Sequence, residues 1–514
     1  DNRRRAMRVL VIGGGGREHA IIRKLKESRE ATQLFAMPGN AGIARDAACI
    51  PGRADDVEAI VAAALEYEID FVVVAPDDPL VLGAVDKLRE AGIPAFGPTA
   101  AAAAIEGSKA FAKDLMKKYS IPTADYRVFT RLEEALDYVK AAPLPVVVKA
   151  SGLALGKGVL ICQTQEEALA AVRSIMEEKI FGESGREVVI EEFLTGPEVS
   201  VLCFTDGETI LPMASSMDHK RALDGDKGLN TGGMGTIAPN PHYTPAIAAL
   251  CMEKIYRPTV AAMRLEGREF RGCLYFGLML TQEGPKVIEY NCRFGDPETQ
   301  VVLPLLAGDL LEIMIATAEG RLGEVEMGVR PGCACCVVLA SGGYPGSYQK
   351  GVAITGLDRN GQPAGEETGG GVQVFHAGTA AGEEDGTFVT AGGRVLGVTA
   401  TGETLAGAIQ GAYAAAREIK FPQRQFRQDI GRRALSALPP RMCCPLCGQG
   451  PIYRAAVKGT GEVISVCEEC DTVWRRTGEG TLVTDLTIHL EEQGLPPRWE
   501  ELELLATLDE SDKL

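Results

Sequence analysis

The chain opens with a pattern that few folds can accept. Arg8 to Ile12 is a short apolar run leading into Gly13-Gly14-Gly15-Gly16, then Arg17-Glu18-His19, then the helical-looking stretch Ala20 to Leu25. A buried strand, a glycine turn and a helix in that order begin a βα unit. The pattern recurs, with Val57 to Tyr67 reading as helix and Phe71-Val72-Val73-Val74 as a buried strand ending at Pro76. Alternation at this spacing predicts an open parallel α/β sheet over residues 1–106. The glycines do not make a dinucleotide fingerprint. Counting G-x-G-x-x-G from Gly13 puts Glu18 in the third glycine place, and counting from Gly14 puts His19 there. What survives is a glycine loop at a helix N-terminus with Arg17 beside it, an arrangement suited to a phosphate.

From residue 107 to about 330 strands and helices mix in α+β style. Val146-Val147-Val148-Lys149, Val159-Leu160-Ile161 and Val188-Val189-Ile190-Glu191 read as strands of one small sheet. Leu274 to Thr281 and Lys286 to Asn291 read as a hairpin turning at Gly284-Pro285. The loop Gly152 to Gly158 is no Walker A motif, because only three residues separate Gly152 from Gly156 and no Ser or Thr follows Lys157. It is still a glycine loop between two strands, with Lys109 and Lys149 available to neutralise phosphates. In Glu289-Tyr290-Asn291-Cys292-Arg293, alternate residues share a strand face, so Glu289 and Asn291 project together and Arg293 joins them if the strand continues. Two oxygen ligands plus nucleotide phosphates suit Mg²⁺, and an arginine there suits a phosphoryl group in transfer. Asp218 to Arg221 and Asn230 to Gly235 form a further loop region rich in glycine and polar side chains.

Fifty-three Lys and Arg against 70 Asp and Glu give a net charge of −17, a poor match to nucleic acid or an anionic membrane. Aromatic residues are only 6% of the chain, which argues against a binder that stacks on bases. Any anion must therefore be gripped locally. No run approaches the roughly 18 apolar residues of a membrane span. The N-terminus lacks the apolar stretch of a signal peptide, and Met7 reads as a start site. The expectation is a cytoplasmic protein whose cysteines are reduced thiols or metal ligands.

Taken together, these segments resemble the phosphoribosylamine–glycine ligase (glycinamide ribonucleotide synthetase) family of the ATP-grasp superfamily over roughly residues 7 to 435. The resemblance rests on Val11 to Ala20, Pro38-Gly39-Asn40-Ala41-Gly42, Phe96-Gly97-Pro98-Thr99 and Glu106-Gly107-Ser108-Lys109. It continues through Lys149 to Val159, Asp218 to Arg221, Asn230 to Gly235, Glu289 to Gln300 and Gly342 to Gly346. It implies ATP bound by Lys109, Lys149, the flap residues Gly156, Lys157 and Gly158, the hinge residues Glu191, Glu192 and Leu194, and Glu198 on the ribose. Mg²⁺ or Mn²⁺ would sit on Glu289 and Asn291. The substrates glycine and 5-phosphoribosylamine would meet Gly15, Gly16, Arg17, Glu18, Asn40, Asp218, Lys220, Gly233, Asp296 and Glu298, with Lys149, Arg293 and Asp296 as catalytic groups. The implied reaction activates glycine as glycyl phosphate and transfers it to the amine. Alternatives are another ATP-grasp carboxylate–amine ligase, or an inactive relative serving as a binding module.

Two positions depart from the family's pattern: Ala75-Pro76-Asp77 carries a shorter acid than the usual Glu, and Met217 replaces a usual Gln. Beyond about residue 440 the resemblance ends. There Cys444-Pro445-Leu446-Cys447 and Cys467-Glu468-Glu469-Cys470 make C-x2-C-x19-C-x2-C, the spacing of a tetrahedral Zn²⁺ site. Cys443 could compete with Cys444, but the x2 knuckle favours Cys444. Residues 441–480 hold five basic and five acidic side chains, and 481–514 hold two and nine, so a structural clip or a protein contact is expected rather than nucleic acid. The whole reads as α/β and α+β multidomain. An open parallel α/β domain (1–106) precedes an ATP-grasp core (107–330, lid about 123–190) and a small mixed β/α domain (331–435). A zinc-ribbon-like module (441–480) and an acidic tail (481–514) follow.

Overall fold

In a computed structural model the chain forms two compact units, Asp1–Leu435 and Ser436–Leu514. The structure describes residues 6–29, 32–154, 158–364, 371–437, 444–447, 450–477 and 480–508. Among these, no helix is long and apolar enough to cross a membrane.

The first unit begins with the expected parallel sheet. Its strands run in the order Ala48–Cys49, Thr32–Pro38, Met7–Gly13, Phe71–Val74, Ala95–Phe96, and every neighbouring pair is parallel. Val9, Leu10, Val11 and Ile12 are fully buried, as a strand covered on both faces requires. Strand order reverses between Met7–Gly13 and Phe71–Val74. The crevice at their carboxyl ends is thus a topological switch point, where such sheets take ligands. The glycine loop and Asp77 both follow those strand ends.

The small sheet predicted between residues 123 and 190 is antiparallel, in the order Tyr126–Phe129, Val188–Glu192, Val146–Ala150, Val159–Cys162. Helices Leu132–Ala141 and Gln165–Met176 cover it, and its core, including Leu136, Val148, Val172 and Ile190, is its own. The rest of the unit has three further apolar clusters. One apolar cluster joins Leu10 and Val72 to Val201 and Phe276, and another joins Phe71 and Leu202 to Ala334 and Phe375.

The central sheet is Ile210–Pro212, Glu198–Thr205, Gly272–Thr281, Gly284–Asn291. Its hairpin forms, but the turn is Gln282-Glu283 rather than Gly284-Pro285. Gly284 already pairs with Thr281, and Pro285 is tolerated because its strand lies at the sheet edge. The C-terminal sheet of this unit, in the order Met217–Asp218, Gly235–Ala238, Cys333–Ala340, Arg394–Gly402, Val372–His376, takes two strands from the central segment. Helix Leu405–Glu418, capped where Thr404 Oγ1 accepts from Gly407 N at 3.1 Å, packs against it. Cys335 and Cys336 are buried there, whereas Cys333, at the start of the same strand, is half-buried.

The second unit corrects the expectation of a short ribbon followed by a tail. Its antiparallel sheet runs Gly480–Asp485, Thr472–Thr477, Val463–Cys467, Ile452–Val457, Leu502–Thr507. Helix Leu486–Glu492 packs on one face. Residues 481–508 are therefore part of the fold. Their acidic excess disguised the pattern: Leu486, Leu490 and Leu502 are buried while Glu491, Glu492, Glu500 and Glu503 are exposed.

Candidate functional site

Basic side chains from three segments converge around Glu289. Ser108 caps helix Lys109–Lys118, accepting from Phe111 N at 3.1 Å, and so places Lys109 in the first turn, where its Nζ donates to the Gly152 carbonyl at 3.0 Å. Lys149, on strand Val146–Ala150, donates to the Ile288 carbonyl at 3.3 Å and pairs with Glu191. Lys220 Nζ lies 3.3 Å from Glu289 Oε1 and 3.9 Å from Glu198 Oε2. The Glu289 carboxyl is held down to about 2, first by Lys220 and then, against the cost of burial, by Lys149 and Lys109. Asn291 shares its face, with Tyr290 turned into the core between them. An ionised carboxylate, an amide oxygen and surrounding ammonium groups fit a Mg²⁺–triphosphate.

Glu191, expected at an adenine hinge, lies on strand Val188–Glu192. Its carboxylate is buried between Lys149 and Lys113. Burial opposes its charge, but the two lysines together lower its pKa. Lys113 also donates to Thr123 Oγ1 at 2.7 Å. It was missed in the sequence, although it stands four residues from Lys109 on the same helix, where side chains share a face. Glu192 and Glu198 are exposed and Leu194 is half-buried. Gly158 accepts at its carbonyl from Ala150 N at 2.9 Å. Gly156 and Lys157 lie outside the described residues.

At the N-terminal loop Gly13 has φ 117°, and a Cβ there would sit 2.6 Å from Glu18 Cγ. Only glycine fits. Glu18 is committed to structure: its Oε2 accepts from Gly15 N and its Oε1 from Arg17 Nε, both at 2.7 Å. Arg17 Nη1 donates to the Phe294 carbonyl at 3.2 Å, and Arg17 N to Asp296 Oδ2 at 3.4 Å. Gly16 faces Gln300 Nε2, which a Cβ would approach to 2.6 Å. Asn40, expected to touch substrate, makes three hydrogen bonds through its side chain. Its Nδ2 donates to the carbonyls of Gly14 (2.9 Å) and His376 (2.8 Å), and its Oδ1 accepts from Ile43 N at 2.8 Å. His19 fixes the same helix: its Nδ1 accepts from His376 N at 2.7 Å and its Nε2 meets Asp46 Oδ2 at 3.0 Å.

Arg293 does not extend the strand face of Glu289 and Asn291. The strand stops at Asn291, and Arg293 is drawn to Glu106 Oε1 (3.0 Å) and Asp77 Oδ2 (3.9 Å), with its Nε buried and unpartnered among the described residues. Beyond it, Glu298 accepts from Tyr275 Oη at 3.0 Å, and Tyr275 Oη meets Ser200 Oγ at 2.7 Å. Burial pushes the Glu298 carboxyl up, and burial with Glu298 nearby pushes Asp218 up. Gly233, at φ 120°, lets the backbone pass: a Cβ would strike Pro297 Cδ at 2.4 Å and Asp218 Oδ1 at 2.9 Å. Arg394, from the C-terminal sheet, was also missed. Its Nη1 donates to the carbonyls of Gly232 (2.8 Å), Gly233 (3.4 Å) and Asp296 (2.8 Å). No local pattern marks it, because these partners lie far away in sequence.

In the second unit the sulfur atoms of Cys444, Cys447, Cys467 and Cys470 all lie within 4.8 Å of one another. Cys443 lies outside the described residues.

Known proteins are similar to this chain over most of its first unit. Residues 7–106 match the N domain, 107–299 the ATP-grasp (A) domain and 334–433 the C domain of phosphoribosylglycinamide synthetase. Phosphoribosylamine–glycine ligase of Caldanaerobacter subterraneus subsp. tengcongensis is 46% identical over 424 residues, covering 82% of this chain and 99% of that protein. The Rhodopirellula baltica protein of the same name is 48% identical over 436 residues, covering 83% and 98%. The crystal structure of phosphoribosylamine–glycine ligase from Thermotoga maritima superposes with a TM-score of 0.71 at 37% identity, covering 82% of this chain and 100% of that one.

Proposed function

The chain belongs to the phosphoribosylglycinamide synthetase family, and from that premise we propose that its cleft joins glycine to 5-phosphoribosylamine. ATP is the activating nucleotide, and the products are glycinamide ribonucleotide, ADP and phosphate, a step of purine biosynthesis. The observation that carries this reading is Glu289, ionised and flanked by Lys220, Lys149 and Lys109, with Asn291 on the same face. Family membership does not favour the alternatives of a different ATP-grasp ligase or an inactive relative.

A glycine carboxylate oxygen attacks the γ-phosphorus, ADP leaves with the bridging oxygen, and glycyl phosphate forms. The amine of 5-phosphoribosylamine then attacks the acyl carbon, phosphate leaves, and the nitrogen gives up a proton. We assign Lys109, Lys149 and Lys220 to the phosphate charges, because both reactants of the first step are anionic and the work is mostly positioning and neutralisation. Mg²⁺ or Mn²⁺, when bound at Glu289 and Asn291, supplies further neutralisation of the phosphates. The loop Gly13 to Arg17 holds the sugar phosphate. Arg17 and Asp296 orient the acceptor, and the proton goes to the Asp218–Glu298 pair, which burial makes ready to hold one. Arg293 acts from its place between Glu106 and Asp77. We place the reaction in the cytoplasm, where thiols stay reduced. The four-cysteine cluster is read as a structural Zn²⁺ site outside this chemistry.

Phosphate release with ATP, glycine and freshly generated 5-phosphoribosylamine tests the assignment. Release is expected to require all three, and ATP turnover that does not depend on glycine overturns it.

A further inference from the structure

The family models end at residue 433, and nothing in the ligase chemistry uses the cysteine cluster of the second unit. Its sulfur atoms are arranged as a cage. Cys444 Sγ lies 3.6 Å from Cys470 Sγ, and Cys447 Sγ lies 3.7 Å from Cys467 Sγ. A tetrahedron with Zn–S bonds of about 2.3 Å has edges of about 3.8 Å, whereas a disulfide needs about 2.05 Å. Backbone N–H groups already point at the sulfurs: Cys447 N reaches Cys444 Sγ and Glu469 N reaches Cys467 Sγ, both at 3.4 Å. Such donors orient and stabilise thiolate ligands.

The sheet of this unit has two unequal faces. One carries a conventional core in which Ala455, Val457, Ile464, Val466, Val473 and Leu502 meet Leu486 and Leu490. Among the described residues the other buries Ile452, Trp474 and Leu508 around Cys444 and Cys467. Three such apolar side chains make a thin core for a sheet face in so small a unit, which ordinarily needs a staple. The knuckle is also where the chain after residue 480 is tied in. Leu486 N donates to the Asp471 carbonyl and Trp499 Nε1 to Asp471 Oδ1, both at 2.8 Å, and Asp471 directly follows Cys470. At the far end Leu508 N donates to the Ile452 carbonyl at 2.8 Å.

We infer that a Zn²⁺ ion held by Cys444, Cys447, Cys467 and Cys470 is the staple of residues 444–508, fastening the C-terminal helix and strand to the sheet, while the ligase unit keeps its fold without it. This rests on reading the cluster as a Zn²⁺ site and goes beyond it, because it makes metal occupancy decide whether the acidic C-terminal segment is folded. Thiolates must lose their protons to bind, and a metal that binds only the folded form adds its binding free energy to folding.

The chain carries its own reporter. Both of its tryptophans, Trp474 and Trp499, lie in this unit, one in the cysteine-centred core and one bonded beside the knuckle. Full-length protein purified without chelator is expected to contain one Zn²⁺ per chain. Stripping it, then restoring Mg²⁺ alone, is expected to shift tryptophan emission to the red and open residues 444–508 to protease. Added Zn²⁺ is expected to reverse both changes, and ligase activity is expected to stay within twofold throughout. Cys467→Ser with Cys470→Ser is expected to reproduce the stripped state without a chelator. Protein that neither contains nor takes up Zn²⁺ overturns the metal reading itself. Zn²⁺ that leaves with no change in emission or protease resistance keeps the metal reading and overturns its role as staple.

Discussion

Arg394 and Asp296 are joined twice. The guanidinium Nη1 lies 3.5 Å from Asp296 Oδ1 and donates to the backbone carbonyl of the same residue at 2.8 Å. With its bonds to the Gly232 and Gly233 carbonyls, this one side chain pins two loops assigned to the substrates. Through Asp296, which accepts from Arg17 N, it also reaches the N-terminal glycine loop.

Arg394→Ala should therefore lower kcat/KM for 5-phosphoribosylamine and glycine by about a hundredfold, the cost of misplacing reactants by about an ångström. The ATP KM should hold within twofold, because the nucleotide side is built from other segments. Arg394→Lys should recover only part of the loss, since an ammonium cannot reproduce the planar fork. Steady-state kinetics with each substrate varied in turn checks the split.

Lys220 is the largest influence holding Glu289 ionised. The folded-state value, about 2, lies below the ordinary carboxylate value, so the charge is fully present at neutral pH and lost only as pH falls through about 2. Wild-type Mg²⁺ activation should show no contribution from Glu289 between pH 5 and 7.5. In Lys220→Met the value rises, and Mg²⁺ activation should weaken at pH 5 more than at 7.5. Activation curves for both proteins at the two pH values give the ratio.

His376 is buried, and burial first, then His19, brings its pKa down to about 3; burial also lowers that of His19. Unfolded histidine takes a proton near pH 6.5. Between there and about 3 the unfolded chain binds protons that the folded one refuses. Stability should therefore fall as pH drops, by up to about 1.4 kcal/mol per pH unit for each such group. Urea unfolding of the first unit at pH 7.5 and 5 should show the fall, and His376→Gln should flatten it even if less stable overall.

Lys113→Met should raise the ATP KM about tenfold, roughly 1.4 kcal/mol, with a smaller change in kcat. Lys113 braces Glu191 beside Lys149 and is assigned no phosphate of its own. Equal loss for all three substrates would show that it acts on the whole fold instead.

Local patterns made much of this legible. The parallel sheet follows from apolar runs separated by glycine turns, the shared face of Glu289 and Asn291 from strand alternation, and the sulfur cage from cysteine spacing. What stayed hidden was decided by partners distant in sequence. Asn40 bonds to the His376 carbonyl, Arg293 pairs with Glu106, and Asp296 meets Arg394, at separations no local period encodes. The segment after residue 480 misled for a different reason: summed charge concealed a few leucines placed at the spacing that buries them.

The separate core of the sheet spanning 126–192 has a mechanical consequence. That sheet is held together by an apolar cluster of its own, distinct from the clusters of its neighbours. What ties it down near the nucleotide is polar: Glu191 to Lys113, Lys149 to the Ile288 carbonyl, and Lys109 back to Gly152. Of these three ties, two are made by Lys109 and Lys149, the groups assigned to the triphosphate, so binding the nucleotide competes with the contacts that hold the sheet in place, and only the Lys113 tie is spared.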